Sequence, residues 1–130
     1  MKARTIFNGK AEGEALVTAE QISFYGGVDP NTGIIVEKGH PLEGQSITGK
    51  IFVFPQGKGS TVGSYIIYSL KKNGKAPLAI INRETETIVA VGAIIAEIPM
   101  VDQIDISKIK TGDKVKVDAD NGIVEVEGSK

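Results

Sequence analysis

The stretch that most narrows the folds open to this chain is Ile51 to Gly74, "IFVFPQGKGSTVGSYIIYSLKKNG". Ile51, Phe52, Val53 and Phe54 form a short apolar run that suits a buried strand, and Pro55, which cannot donate to a ladder, stops it. From Ser60 onward Val62, Ile66 and Leu70 fall four residues apart, the repeat of one helical face. Lys71, Lys72, Asn73 and Gly74 then end the helix, with cations at the negative end of its dipole and residues that accept a left-handed conformation. A strand, a glycine-rich loop and a helix start thus follow one another. Such a junction leaves backbone N–H groups unpaired where an anion or polar ligand can bind.

The loop is not a nucleotide-binding P-loop. That motif needs Gly, four residues, then Gly-Lys-Ser/Thr, whereas Gly57-Lys58 is followed by Gly59 and position 52 is Phe. Two readings of the hydroxyls stay open on local pattern: Ser60 or Thr61 caps the helix, or the loop is a site.

Around this junction the chain reads as α/β, mostly β with some helix. "ARTIFNG" and "EALVTA" form two early strands, and residues 26–44, with turn residues in "VDPNTG", form a long surface loop. "KAPLAIIN" is a buried strand. "ETETIVAVGAIIAEIP" is a second apolar element, helix or strand, in which Gly92 marks a close approach of backbones. In "KIKTGDKVKVDADNGIVEVEG", Val115 and Val117 alternate with charged residues and a "DADNG" turn leads to Ile123, Val124 and Val126, which is a hairpin with one exposed face.

No repeat or linker divides the 130 residues, so one domain spanning 1–130 is expected. Fifteen basic and sixteen acidic residues are scattered along the chain, and without a polybasic run nucleic acid is a poor partner. No apolar run approaches the roughly 20 residues of a membrane span, and the N-terminus has no apolar signal core, which points to the cytoplasm. There is no cysteine to form a disulfide or ligate zinc or an iron–sulfur cluster, and no metal site is expected in this chain. Arg4 and Arg83 are the only arginines. His40 is the only histidine, a loop or interface residue that no sequence rule brings to Ser60.

The segments "GHPLEGQSITGKIFVFPQGKGSTVGSYIIYSL", "APLAIIN" and "AVGAIIAEIPMVD" resemble the small subunit of the aconitase X family. The resemblance runs from Gly9 to the final hairpin. It implies a swivelling β/β/α domain, equivalent to the mobile small domain of aconitase, in a heterodimer with a large subunit that holds a 4Fe-4S cluster. It implies a hydro-lyase, active only with that partner, whose substrate is a small phosphorylated hydroxy acid. Archaeal members of the family dehydrate (R)-5-phosphomevalonate in isoprenoid synthesis, and bacterial relatives dehydrate hydroxyproline. A non-catalytic anion-binding or scaffold domain is the alternative from another class.

Aconitase-like enzymes carry a basic serine at a helix start, within Gly-Ser-Ser-Arg. By position it matches Ser60 in Gly59-Ser60-Thr61-Val62, while the arginine has no counterpart because Val62 and Gly63 occupy that region. The resemblance therefore casts Ser60 as catalytic base and Lys58, Gly59 and Thr61 as substrate contacts. A hydroxyl is a poor base unless its alkoxide is stabilised. The helix N-terminus, the loop N–H groups and Lys58 are the kinds of group that would do so.

Overall fold

The computed structural model describes residues 1–128. Seven strands form one mixed sheet: β1 (Arg4–Phe7), β2 (Lys10–Val17), β3 (Ile51–Phe54), β4 (Ala79–Asn82), β5 (Met100–Asp102), β6 (Lys114–Asp118) and β7 (Ile123–Glu127), in spatial order β1-β5-β4-β3-β2-β6-β7. The central strands β2, β3, β4 and β5 run parallel, while β1, β6 and β7 join antiparallel. A one-turn helical segment, α1 (Phe24–Gly27), follows β2. Two longer helices, α2 (Gly63–Lys72) and α3 (Thr87–Ala96), make the crossovers β3-α2-β4 and β4-α3-β5. Because both crossovers step in the same direction along the sheet, right-handed connections place both helices on one face.

That parallel centre explains the unbroken apolar run in β3. Phe52 and Phe54 pack with α2, α3 and Phe24 on one face, and Ile51 and Val53 pack on the other against Val115, Val117 and Val124. All four are fully buried, as expected where both faces of a strand are covered. The second face is covered by the β6–β7 hairpin, in which Val115 lies opposite Val126 and Val117 opposite Val124, as the alternation predicts. The two sheet edges approach each other: Lys2 bridges Ile123, and Ala3 N–H donates to the Gly122 carbonyl at 2.8 Å. The result is a half-barrel with helices on its outer face.

Three expectations are changed or resolved by packing. Residues 26–44 contain no strand, yet they are not a surface loop, because Val28, Ile35 and Leu42 are buried in the helix-side core with Phe24 and Phe52. The inward face of α2 is Gly63, Ile67 and Leu70, so Ile66 is only partly covered and Val62 is exposed. The helix lies against α3, whose position sets which stripe turns inward. The ambiguous element at 84–99 holds helix α3, and Gly92 is its point of close approach: a Cβ there would lie 3.0 Å from Ile67 Cβ and 2.5 Å from its Cδ1.

Candidate functional site

Between β3 and α2 the chain is held at each step by a different part of the fold. The Pro55 carbonyl accepts from the N–H groups of Arg83 and Glu84 at 3.1 and 3.3 Å, which ties the exits of β3 and β4 together. Ile22 pairs with the loop through its N–H to the Gln56 carbonyl at 3.3 Å and its own carbonyl to Lys58 N–H at 3.0 Å. Gly57 N–H donates to Glu86 Oε1 at 3.2 Å. Any Cβ at Gly57 would stand 2.5 Å from that oxygen and from Val89 Cγ2, so only glycine fits. Gly59 has φ +90, and a Cβ there would meet Ser23 Oγ at 2.7 Å. Both glycines therefore serve close approach, and Gly59 a left-handed turn as well.

The turn that follows delivers Ser60 to solvent. Gly63 N–H donates to the Ser60 carbonyl at 2.9 Å, and Val62 N–H donates to Ser60 Oγ at 3.1 Å. The second bond is a cap, one turn before the regular helix begins. The Ser64 hydroxyl is already committed to the Thr61 carbonyl at 2.8 Å. Among the described residues, the N–H groups of Gly59, Ser60 and Thr61 meet no acceptor, and the first turn of α2 holds no acidic side chain. Three N–H groups without an acceptor and the start of a ten-residue helix therefore adjoin the exposed Ser60 in the chain. A hydrogen bond donated to an oxygen favours its anionic form, so the Val62 bond that caps the helix also favours an alkoxide at Ser60.

The structure thus brings Lys58, Gly59, Ser60 and Thr61 into one turn, but Lys58 is not alone there. Its Nζ lies 3.5 Å from Glu37 Oε2, a carboxylate carried by the long 28–47 segment and absent from the sequence-based candidates. Glu86 was likewise not among them. It caps α3 by accepting from Ile88 N–H at 2.6 Å and Val89 N–H at 3.1 Å while it holds Gly57. The only available signal was an acidic residue just before an apolar run, a position where Ser, Thr, Asp or Asn is the usual cap.

His40 makes no hydrogen bond to this turn. It is buried in the 28–47 segment, with Nδ1 accepting from Leu42 N–H at 3.0 Å and Nε2 3.2 Å from the Gln21 carbonyl, which makes Nε2 the protonated nitrogen. It is a buried loop residue, and it ties that segment to Gln21 in the connection between β2 and α1. Arg4 forms a two-pronged pair with buried Asp102, through Nε at 2.9 Å and Nη2 at 2.7 Å. It therefore does not replace the arginine that aconitase carries in its serine loop.

A cavity of about 470 Å³ lies elsewhere, on the β2–β6–β7 surface, and shares no residue with the serine loop. The loop itself is open to solvent from Lys58 to Val62. Exposed apolar side chains occur at the start of α2, Val62 and Tyr65, and along α3, Val91, Ile94 and Ile95. Among the described residues no group of three or more His, Asp or Glu is placed to hold a metal ion, and no helix is long and apolar enough to cross a membrane.

Comparison with known proteins bears on the whole chain. The family model described as aconitase X swivel domain matches residues 1–126. The phosphomevalonate dehydratase small subunit of Thermococcus onnurineus (strain NA1) is 65% identical over 127 residues, covering 98% of each chain. That of Methanosarcina acetivorans is 60% identical, over 97% of this chain and 90% of the relative. The crystal structure of Thermococcus kodakaraensis aconitase X in its holo-form superposes with a TM-score of 0.95 at 64% identity, covering 97% of this chain and 96% of that one. The solution structure of a UPF0107 protein superposes with a TM-score of 0.89 at 56% identity, covering 98% of both chains.

Proposed function

The chain belongs to the aconitase X swivel domain family, and from that premise and the geometry of the serine loop we propose that it is the small subunit of a heteromeric (R)-5-phosphomevalonate dehydratase with Ser60 as the base. The relatives at 54–65% identity over nearly the whole chain bear the name phosphomevalonate dehydratase small subunit and come from archaea. A small subunit has a larger partner. In this reading residues 1–130 form one swivel domain that acts in the cytoplasm and closes over the large subunit with the apolar side chains of α2 and α3 at the contact.

The observation that carries the catalytic part is the exposed Ser60 hydroxyl, which accepts from Val62 N–H in a turn where the N–H groups of Gly59, Ser60 and Thr61 have no acceptor among the described residues. The reaction removes a proton from the carbon next to the carboxylate and a hydroxyl from the β-carbon, forming trans-anhydromevalonate 5-phosphate and water. Ser60, as alkoxide, takes the proton and becomes a neutral hydroxyl. The helix dipole and the Val62 bond make that alkoxide accessible. The N–H groups of Gly59 and Thr61 and the Lys58 ammonium are placed to receive anionic oxygens of the substrate.

This chain does not fit as host to an iron–sulfur cluster, since it has no cysteine and no ligand cluster among its described residues. The 4Fe-4S cluster belongs to the large subunit in this reading. Departure of the β-hydroxyl is likewise the partner's part of the reaction.

The test is the complex reconstituted with its large subunit under anaerobic conditions and assayed on phosphomevalonate and on hydroxyproline. Turnover of phosphomevalonate is expected, and turnover of hydroxyproline alone would refute the substrate. In the same complex Ser60→Ala should lower kcat by roughly three orders of magnitude or more while heterodimer and cluster content are retained. The cap bond at Ser60 favours one competing reading, that the serine only starts the helix. In that case Ser60→Ala costs about 0.5–2 kcal/mol of stability and leaves kcat near normal.

A further inference from the structure

The long 28–47 segment delivers one carboxylate to the serine loop, and its setting is unusual. Val36 and Glu37 are pinned by their N–H groups to the Gly27 carbonyl at 2.8 and 3.3 Å. The Glu37 side chain lies against Gly27, where an added Cβ would come within 3.1 Å of Oε1. That oxygen is buried and has no hydrogen-bond partner, while Oε2 faces the Lys58 ammonium at 3.5 Å. A buried carboxylate oxygen without a donor is costly, and such groups are rare in folded proteins unless they do something else. An ion pair at 3.5 Å is also longer than a tight charge-assisted bond of about 2.8 Å. Lysine has three donors. Glu37 therefore engages one side of Lys58 and, among the described residues, leaves its other donors without a protein partner.

We propose that Glu37 is a positioning residue of this site, which holds the Lys58 ammonium beside the Ser60 turn so that it meets an anionic group of the substrate. Without this anchor the lysine's four-carbon stem samples many rotamers, and that freedom must be lost each time substrate binds. Glu37 does not touch substrate itself, because its free oxygen is buried. It acts through Lys58 alone, and Ser60 remains the base. The proposal rests on the dehydratase reading above for its kinetic arm and on the full chain alone for its spectroscopic arm.

The experiment has both arms. In the full chain with 13C-labelled lysine ε-carbons, Glu37→Gln is expected to move the Lys58 signal, while Glu127→Gln leaves it in place. An unmoved Lys58 signal would show that the pair does not exist in solution and would overturn the proposal whether or not the complex is a phosphomevalonate dehydratase. In the reconstituted complex, Glu37→Ala should raise KM for phosphomevalonate about tenfold with kcat changed less than about threefold. Lys58→Ala should raise KM at least as much, and adding Glu37→Ala to it should change nothing further. Lys58→Arg, which still reaches Glu37, should restore most of the binding. Additive effects of Glu37→Ala and Lys58→Ala, or an unchanged KM for Glu37→Ala, would refute positioning through Lys58. A Ser60→Ala complex with full turnover would instead remove the base assignment and leave the Glu37–Lys58 result standing.

Discussion

Replacing Glu86 by alanine should show how far the fold itself holds the serine loop in place. Its carboxylate accepts three backbone N–H groups, from Ile88 at 2.6 Å, Val89 at 3.1 Å and Gly57 at 3.2 Å, and no other side chain caps α3. Loss of a helix cap costs about 0.5–2 kcal/mol, and a hydrogen bond to a charged acceptor contributes roughly 1.5–3 kcal/mol. Because Glu86 is only partly buried and water reaches the freed groups, the total is about 2–4 kcal/mol. For a chain between the sizes where 1 kcal/mol corresponds to 4–8 and 2–4 °C, Tm should fall by roughly 6–20 °C. Glu86→Gln keeps one oxygen acceptor and should lose about half as much.

The coupling to the loop separates this bond set from an ordinary cap. A Cβ at Gly57 would collide with Glu86 Oε1 and Val89 Cγ2, so Gly57→Ala must displace the same carboxylate. The costs of Gly57→Ala and Glu86→Ala should therefore not add, with a coupling of about 1 kcal/mol or more in a double-mutant cycle read by urea midpoints. In the reconstituted complex Glu86→Ala should also lower kcat/KM roughly tenfold, because Gly57 begins the turn that presents Ser60. A Glu86→Ala chain that melts within about 2 °C of the parent would refute the reasoning. So would strict additivity with Gly57→Ala.

Two further outcomes follow from packing and charge. Gly92→Ala gains about 1 kcal/mol of helix propensity but pushes a methyl group to 3.0 Å from Ile67 Cβ, which cannot rotate away. Since overpacking costs about 1–3 kcal/mol, chemical denaturation should show net destabilisation of up to about 2 kcal/mol, and a more stable variant would mean that α2 and α3 can part freely. In acid, the Asp105 and Asp118 carboxyls are held below the ordinary range, chiefly by hydrogen bonds from the side chains of Ser107 and Asn121. Their contribution is complete above the unfolded pKa of about 3.9 and is lost as pH falls through the lower folded values. Asp118→Asn should therefore flatten the decline of the urea midpoint below that pH. At the other end, the Lys114 ammonium is held above its usual value, first by its bond to Glu12, so its contribution should disappear only as pH rises beyond about 10.4. Glu12→Gln should remove that alkaline loss.

Much of the serine loop was legible in the sequence because it is assembled by neighbours in the chain. Pro55 ends the strand, Gly59 makes the left-handed turn, and Ser60 precedes a helix whose end is marked by Lys71, Lys72 and Gly74. Each of those choices is decided within a few residues by sterics and local hydrogen bonding. The hairpin at 114–127 was equally plain, since alternation and a "DADNG" turn specify it without outside help.

Tertiary structure alone decided the rest. Residues 84–99 carry an apolar pattern with no strong period, and Thr87–Ala96 become helix because Glu86 caps their start and Gly92 lets α2 approach at Ile67. Residues 26–44 read as a surface loop because turn residues cluster in "VDPNTG". Val28, Ile35 and Leu42 are nevertheless drawn inside by the exposed edge of the Phe24, Phe52 and Phe54 cluster. Glu37 and Glu86 reach the serine loop from positions 21 and 29 residues away in the chain. Periodicity and turn chemistry describe interactions across about one turn of helix or one pair of strands. Which distant carboxylate arrives beside a loop depends on the path of every element between them, and that path is set by the packing of the whole sheet.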